Sequence, residues 1–286
     1  MTFTTRFAPS PTGPLHLGHA YSAMLAFDMA RRAKGQFLLR IEDIDRSRAR
    51  REWEDLIYED LAWLGLSWPK PVMRQSDQQH RYEAALDALW SRGLLYPCTC
   101  SRADIAAAAS APQEGAPLHG PDGVIYPGTC RPAVPPSGPR PSDVPLRLDI
   151  GRACSTLGDG FPLGFREEGD GDARDVCITA THLERDVGDI VLSRRDMGTS
   201  YHLSVVLDDA AQGISDVVRG RDLFDATAIH VLLQKLMDLP VPRYHHHRLI
   251  RDAEGKRLAK RDDARAIRLF RQDGASPADL RAMVGL

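Results

Sequence analysis

Two imidazoles, His16 and His19, stand three positions apart with Gly18 between them, directly after the turn-forming run Pro9-Ser10-Pro11-Thr12-Gly13-Pro14. A helix that opens there directs its unpaired N–H groups and the positive end of its dipole at the turn, which suits a phosphate. Gly18 carries no Cβ, so an adenine ring or a phosphate can approach its backbone. Either histidine alone reads as a surface residue; the pair placed after this turn reads as a phosphate site.

A second basic feature comes late, where Gly255-Lys256-Arg257-Leu258-Ala259-Lys260-Arg261 forms a candidate loop. Lys260 offers a compact, strongly hydrated charge able to follow the β and γ phosphates of ATP as charge builds on departing pyrophosphate. Between Arg243 and Arg281 eleven Lys or Arg face six Asp or Glu, the one segment basic enough to draw RNA phosphates by charge alone. The whole chain has 37 basic and 39 acidic residues in 286, a formal charge of −2, so any nucleic-acid contact must be local.

Cys98, Cys100, Tyr126 and Cys130 bracket a stretch, residues 107–145, that holds ten of the twenty prolines. It needs something other than a hydrophobic core to organise it, and a tetrahedral zinc would serve. Cys-x-Cys is a tight spacer and a phenolate an uncommon ligand, so spacing alone leaves zinc and coincidence equally open. Cys154 and Cys177 read as small buried hydrophobes, and five thiols are too few for a disulfide scaffold. Asp208-Asp209 reads as a satisfied acidic pair rather than a Mg²⁺ site, and His245-His246-His247 as a wall of the nucleotide site or plain surface.

These groups need a scaffold. Residues 3–8 read as a strand, 18–34 as a helix closed by Gly35, and Gln36–Ile41 as a second strand, a βαβ unit whose parallel sheet places ligands at the carboxyl ends of its strands. Trp53, Leu56, Ile57, Leu61 and Leu64, then Tyr82, Leu86, Leu89 and Trp90, recur at helical spacing and read as core. Strands at 144–150, 190–192 and 216–219, with helices at 201–211 and around Ile229 to Leu236, are expected to supply the second half of the sheet. The fold class is therefore α/β, a Rossmann-like parallel sheet. Its halves span 1–97 and 146–240, with an insertion at 98–145 and a loop-bearing segment with C-terminal helices at 241–286.

At 43% hydrophobic and 27% charged residues, disorder is excluded as the main state. The first residues show no basic start with an apolar run, and no stretch approaches the roughly 18 apolar residues of a membrane span. A cytoplasmic protein without a membrane partner is expected.

The run from Arg6 to His19, RFAPSPTGPLHLGH, resembles the first signature of class I aminoacyl-tRNA synthetases in its glutamyl-specific version, and the loop ending at Lys260 resembles the second. The likeness extends from Thr5 to Arg261. It implies ATP, with Mg²⁺ on its phosphates, bound by His16, Gly18, His19 and Lys260, and it makes His16, His19 and Lys260 catalytic. It assigns Arg6, Ser10, Glu42, Tyr201 and Arg219 to L-glutamate. Glu42 would meet the α-ammonium, and the Arg219 fork the side-chain carboxylate, rejecting glutamine. It also implies structural zinc on Cys98, Cys100, Tyr126 and Cys130.

One departure is Ala259, where the family usually carries a serine. The 26 residues after Lys260 are too few for an anticodon-reading domain. Within the family that points to the shortened paralogues, which activate glutamate without tRNA and pass it to queuosine at the wobble position of tRNA(Asp); a monomer is expected. The competing expectations are a full synthetase charging tRNA(Glu), a decayed nucleotide or RNA binder, and a nucleotidyltransferase of the superfamily, which should lack the Arg6, Tyr201 and Arg219 set.

Overall fold

In the computed structural model, which describes residues 2–109, 118–169, 171–251 and 265–286, the opening strand Thr4–Phe7 pairs in parallel with Gln36–Ile41. A short strand, Met73–Arg74, extends this sheet in parallel beyond Gln36–Ile41. The crossover helix Leu17–Arg32 is alanine-rich, a composition that favours helix, and it buries Ala20, Ala23, Ala26 and Ala30 so that it lies close on the sheet. Arg31 and Arg32 end it with charges suited to its dipole. At the return, a Cβ on Gly35 would collide with the Phe3 carbonyl, the group to which Gln36 N–H donates at 2.8 Å.

The second half of the sheet pairs Asp216–Gly220 in parallel with Arg243–His247 in the register Asp216 opposite Arg243. Leu163–Glu167 joins in parallel where Tyr244 faces Glu167, and Arg174–Ile178 runs antiparallel beside it. The halves meet at one seam. Ser215 N–H donates to the Thr4 carbonyl at 3.0 Å, and Thr4 N–H donates to Ser215 Oγ at 2.8 Å. Thr4–Phe7 therefore has Gln36–Ile41 on one side and Asp216–Gly220 on the other, and the crossovers leave it in opposite directions. Such a switch point opens a crevice beyond the carboxyl ends of the strands.

The strands expected at 144–150 and 190–192 do not extend the parallel sheet. Leu146–Leu148 is the centre of a separate antiparallel sheet, between Leu95–Pro97 and Ile190–Ser193. The physical reason is where the chain leaves and returns: Leu95–Pro97 and Leu146–Leu148 are the two ends of the proline-rich stretch and pair with each other. Asp149 then caps a helix, Ile150–Leu157, that ends the extended run early. The histidine triplet itself ends a strand, Arg243–His247.

One apolar core joins this small sheet to the helices Gln79–Ser91, Tyr201–Ala211 and Thr227–Leu236. The other lies under Leu17–Arg32 and holds Ile57, Leu61 and Leu64 as well as Leu280 and Val284 of the helix Pro277–Val284. Cys154 is buried as expected, whereas Cys177 is exposed, on the strand Arg174–Ile178. Among the described residues no helix is long and apolar enough to cross a membrane.

Candidate functional site

At the switch point lies a cavity of about 390 Å³ whose walls include Arg6, His16, Gly18, His19, Glu42, Tyr201 and Arg219. It is assembled from the ends of three parallel strands and the starts of two helices. His247, last of the triplet, also lines it.

His16 is the N-cap of its helix. Its Nδ1 accepts from Gly18 N–H at 3.1 Å, while its own backbone N–H donates to His19 Nδ1 at 3.2 Å. An imidazole that accepts through Nδ1 carries its proton, when neutral, on Nε2. The reciprocal cap therefore places the ring proton of each neutral imidazole on Nε2, with the ring centroids 3.8 Å apart beside the cavity. Gly18 serves this cap: a Cβ there would sit 3.0 Å from His16 Cε1 and 3.2 Å from Nδ1. The absent side chain makes room for the neighbouring imidazole, a role not foreseen from the sequence. Lys260 and Ala259 lie outside the described residues. On either side of them, Ile250 lines the cavity and Ala266 bridges backbone to backbone with His16.

Below the histidines sits a buried charge cluster. Arg6 donates from Nε and Nη2 to the two carboxylate oxygens of Asp209 at 2.9 and 3.2 Å. Arg40 donates from Nη1 to Asp209 Oδ1 at 2.7 Å and from Nη2 to Glu42 Oε1 at 3.1 Å. Burial opposes the charge of Asp209, but Arg6 and Arg40 outweigh it and hold the carboxyl below its ordinary range. Burial pushes Glu42 upward against the same two guanidiniums. Asp208 Oδ2 accepts from Gln75 and Tyr82, each at 2.9 Å, while its buried Oδ1 has only an ion pair with Arg81 at 3.6 Å, so the acidic pair expected to be satisfied is only partly so. Burial also raises the Tyr201 phenol, which therefore stays protonated as a donor.

Arg219 departs from expectation. Its Nε donates to His246 Nε2 at 3.1 Å, Nη1 to His230 Nδ1 at 3.0 Å, and Nη2 to Thr227 Oγ1 at 2.8 Å and the Leu223 carbonyl at 3.2 Å. Four of its five N–H donors are engaged, so it does not present an open fork.

Ser10 lines a second cavity, of about 370 Å³, rather than the first. Glu42 and Tyr201 line both, so the two cavities adjoin there; Asp45, Arg48, Asp122 and Arg194 line the second. Sequence reasoning missed Arg40, His202, His230 and Glu167. The spacing of a single element gives no sign of them, because their partners come from distant segments.

Cys98, Cys100 and Cys130 bring their sulfurs within 4.8 Å of one another. Tyr126 Oη lies 3.5 Å from Cys98 Sγ and 3.4 Å from Cys100 Sγ. With Zn–S near 2.3 Å and Zn–O near 2.0 Å, a tetrahedral zinc needs S···O separations of about 3.5 Å, so the donor set fits. The Arg147 guanidinium lies 3.8 Å from the Tyr126 ring centroid, while burial and the neighbouring thiols push the Tyr126 phenol up, so that without an ion it stays protonated. Hydrogen bonding with Tyr126 holds the Cys130 thiol down at about 6.

An α/β sheet with a nucleotide-sized crevice at its switch point, walled by paired histidines and buried arginines, defines a class I synthetase type of catalytic domain. The chain belongs to the family described as tRNA synthetases class I (E and Q), catalytic domain, which it matches over residues 2–118 and 165–286. It is 60% identical over 283 residues to a glutamyl-Q tRNA(Asp) synthetase of Rhodobacter capsulatus, covering 99% of each chain. To the protein of that name in Deinococcus radiodurans it is 42% identical, covering 99% of this chain and 88% of the relative. Among solved structures, a glutamate tRNA ligase of Elizabethkingia meningosepticum, in complex with its amino acid, superposes with a TM-score of 0.68 at 26% identity over 92% of this chain. This chain spans about half, 52%, of that ligase.

Proposed function

We propose that this protein activates L-glutamate with ATP, releasing pyrophosphate, and transfers the glutamyl group to queuosine at the wobble position of tRNA(Asp). The observation that carries the reading is the one cavity shared by His16, His19, Arg6, Glu42, Tyr201 and Arg219. The relative at 60% identity, which carries that activity in its name, supports the choice of acceptor.

In this reading the glutamate α-carboxylate attacks the α-phosphorus of ATP in line, and no protein nucleophile is needed. The Nε2–H donors of His16 and His19 meet developing charge on phosphate oxygens, and Lys260 joins them from its loop. Mg²⁺ travels with the ATP phosphates. Arg6 keeps its Nη1 donors and Arg219 one N–H on Nη1 for the side-chain carboxylate, while Tyr201 donates its hydroxyl. Glu42, already paired with Arg40, orients the α-ammonium. Ser10, which lines the adjoining cavity together with Glu42 and Tyr201, would reach the amino acid from that side.

Residues 98–145 form a zinc-organised insertion held by Cys98, Cys100, Tyr126 and Cys130, with catalytic halves at 1–97 and 146–240 and a signature-loop segment at 241–286. Zinc would supply the insertion's stability and take no part in the chemistry. The test is pyrophosphate exchange that depends on glutamate but not on tRNA and is lost in Lys260→Ala, followed by labelling of queuosine-containing tRNA(Asp) and not of the unmodified tRNA. Exchange driven equally by glutamine, or labelling of tRNA(Glu), would overturn the reading.

A further inference from the structure

Six side chains run in single file behind the candidate amino-acid site, from the exposed Asp122 inward to the buried Glu167. Asp122 Oδ1 lies 3.2 Å from His202 Nε2, and His202 Nδ1 lies 3.1 Å from His230 Nε2. Arg219 bonds His230 Nδ1 at 3.0 Å and His246 Nε2 at 3.1 Å, and His246 Nδ1 lies 2.5 Å from Glu167 Oε2. A guanidinium only donates, so both imidazole nitrogens facing Arg219 must accept. The remaining protons then have one arrangement: His246 donates through Nδ1 to Glu167, His230 through Nε2 to His202, and His202 through Nε2 to Asp122.

The protein partners of Arg219 are two imidazoles, a hydroxyl and a carbonyl, and among the described residues it has no carboxylate partner. A buried guanidinium held only by neutral acceptors keeps its charge without a counter-ion. A ligand carboxylate supplies that counter-ion; an amide of the same shape does not.

We infer that His230 and His246 are positioning residues that hold Arg219 as neutral, single-tautomer acceptors, and that this hydrogen-bonded file, ending at Asp122 and Glu167, sets the preference for an acidic side chain over its amide. The inference rests on the glutamate reading above. A protonated imidazole at either position would turn a donor toward a donor and place like charge beside Arg219. Burial and the Arg219 charge push His230 well below its ordinary value, with His202, Arg6 and His246 adding to the effect. Burial and Arg219 hold His246 down at about 4, against the pull of Glu167 and with His247 adjacent. Neutral rings enclose the file: Tyr244 stacks on His246, and Tyr201 packs edge-on against His202 and His230. Asp122 belongs to the turn between the strands His119–Gly120 and Gly123–Val124, so the proline-rich stretch reaches the amino-acid site through His202.

The test has two independent arms. Nitrogen-15 histidine spectra of the full-length protein at pH 6 should show His230 and His246 neutral, with the proton on Nδ1 of His246 and on Nε2 of His230. A cationic ring or a reversed tautomer at His230 or His246 would overturn the inference whatever the activity. In pyrophosphate exchange, His230→Phe should raise KM for glutamate at least tenfold and narrow the glutamate-to-glutamine preference by a similar factor, with KM for ATP within twofold of wild type. His230→Gln, whose amide oxygen can accept from Arg219, should recover most of both. If His230→Phe keeps the wild-type KM and preference, the positioning role is wrong. Wild-type protein that shows these tautomers yet gives no glutamate-dependent exchange would refute the functional reading, and the selectivity with it, but not the hydrogen-bonded file.

Discussion

Asp209 and Arg6, 203 positions apart in the chain, form a buried two-bond ion pair at 2.9 and 3.2 Å, and the same carboxylate takes Arg40 at 2.7 Å. One carboxylate thus locks the opening strand, its parallel neighbour and the helix Tyr201–Ala211 together beneath the cavity. Asp209→Asn would leave the buried Arg6 guanidinium without its carboxylate and Arg40 with Glu42 and Asp208 alone, a loss of about 3–5 kcal/mol. Urea denaturation reads it directly, and a loss under about 1 kcal/mol, the range of exposed pairs, would contradict this account.

The same pair predicts a pH dependence. Because the folded state depresses the Asp209 pKa, the unfolded state binds its proton more readily. The stabilisation is therefore complete above the unfolded carboxylate pKa, near 4, and is lost as the pH falls through the lower folded value. Glu42 and Asp208, which burial raises, contribute with the opposite sign and at higher pH. Stability measured from about pH 5 downward should fall more steeply in wild type than in Asp209→Asn. Parallel curves would show that Asp209 carries no linkage.

For His16, cap and chemistry can be separated. His16→Ala removes the acceptor for Gly18 N–H and should cost about 1 kcal/mol of stability as well as exchange activity. Asn is a good N-cap, so His16→Asn should keep the stability and still lose exchange by about 10²-fold or more, the usual effect of deleting one donor to a developing anion. A stable His16→Asn protein with full exchange would remove this histidine from the chemistry.

Gly18→Ala should separate the two in the other direction. Alanine favours the helix by up to about 1 kcal/mol over glycine, but its Cβ would press on the His16 ring at 3.0 Å and turn it from the cap. Thermal stability near or above wild type with a KM for ATP raised about tenfold is the expected result. An unchanged KM would show that the ring yields without consequence.

What could be read from the sequence was local or carried by resemblance. His16, Gly18 and His19 share one helix start, the strand Thr4–Phe7 lies in a short segment that ends at Pro9, and Gln36–Ile41 announces itself by a short apolar run. The state of Arg219 could not be read this way. Its acceptors His230 and His246 come from a helix and a neighbouring strand, and Glu167 from a third element, brought together only by the register in which Tyr244 faces Glu167. The antiparallel sheet escaped notice for the same reason. The strand Leu146–Leu148, two leucines about one arginine, suits either sheet, and its partner is decided by where the proline-rich stretch leaves and rejoins the fold.

The cysteine cluster gives the last prediction. Cys98 is buried while Cys100 and Cys130 are partly exposed, and the surrounding stretch has only a small apolar cluster of its own, around Tyr96, Cys98 and Tyr126. If zinc supplies the missing organisation, purified protein should contain about one equivalent, and Cys98→Ser or a strong chelator should release it. Hydrogen exchange should then accelerate across residues 119–130 and leave the helix Tyr201–Ala211, with its own apolar core, much as before. Because the Tyr126 hydroxyl meets two of the three sulfurs, Tyr126→Phe should weaken zinc retention without abolishing it. Protein free of metal, with slow exchange at 119–130 and a Cys98→Ser melt matching wild type, would show that the thiols pack without an ion.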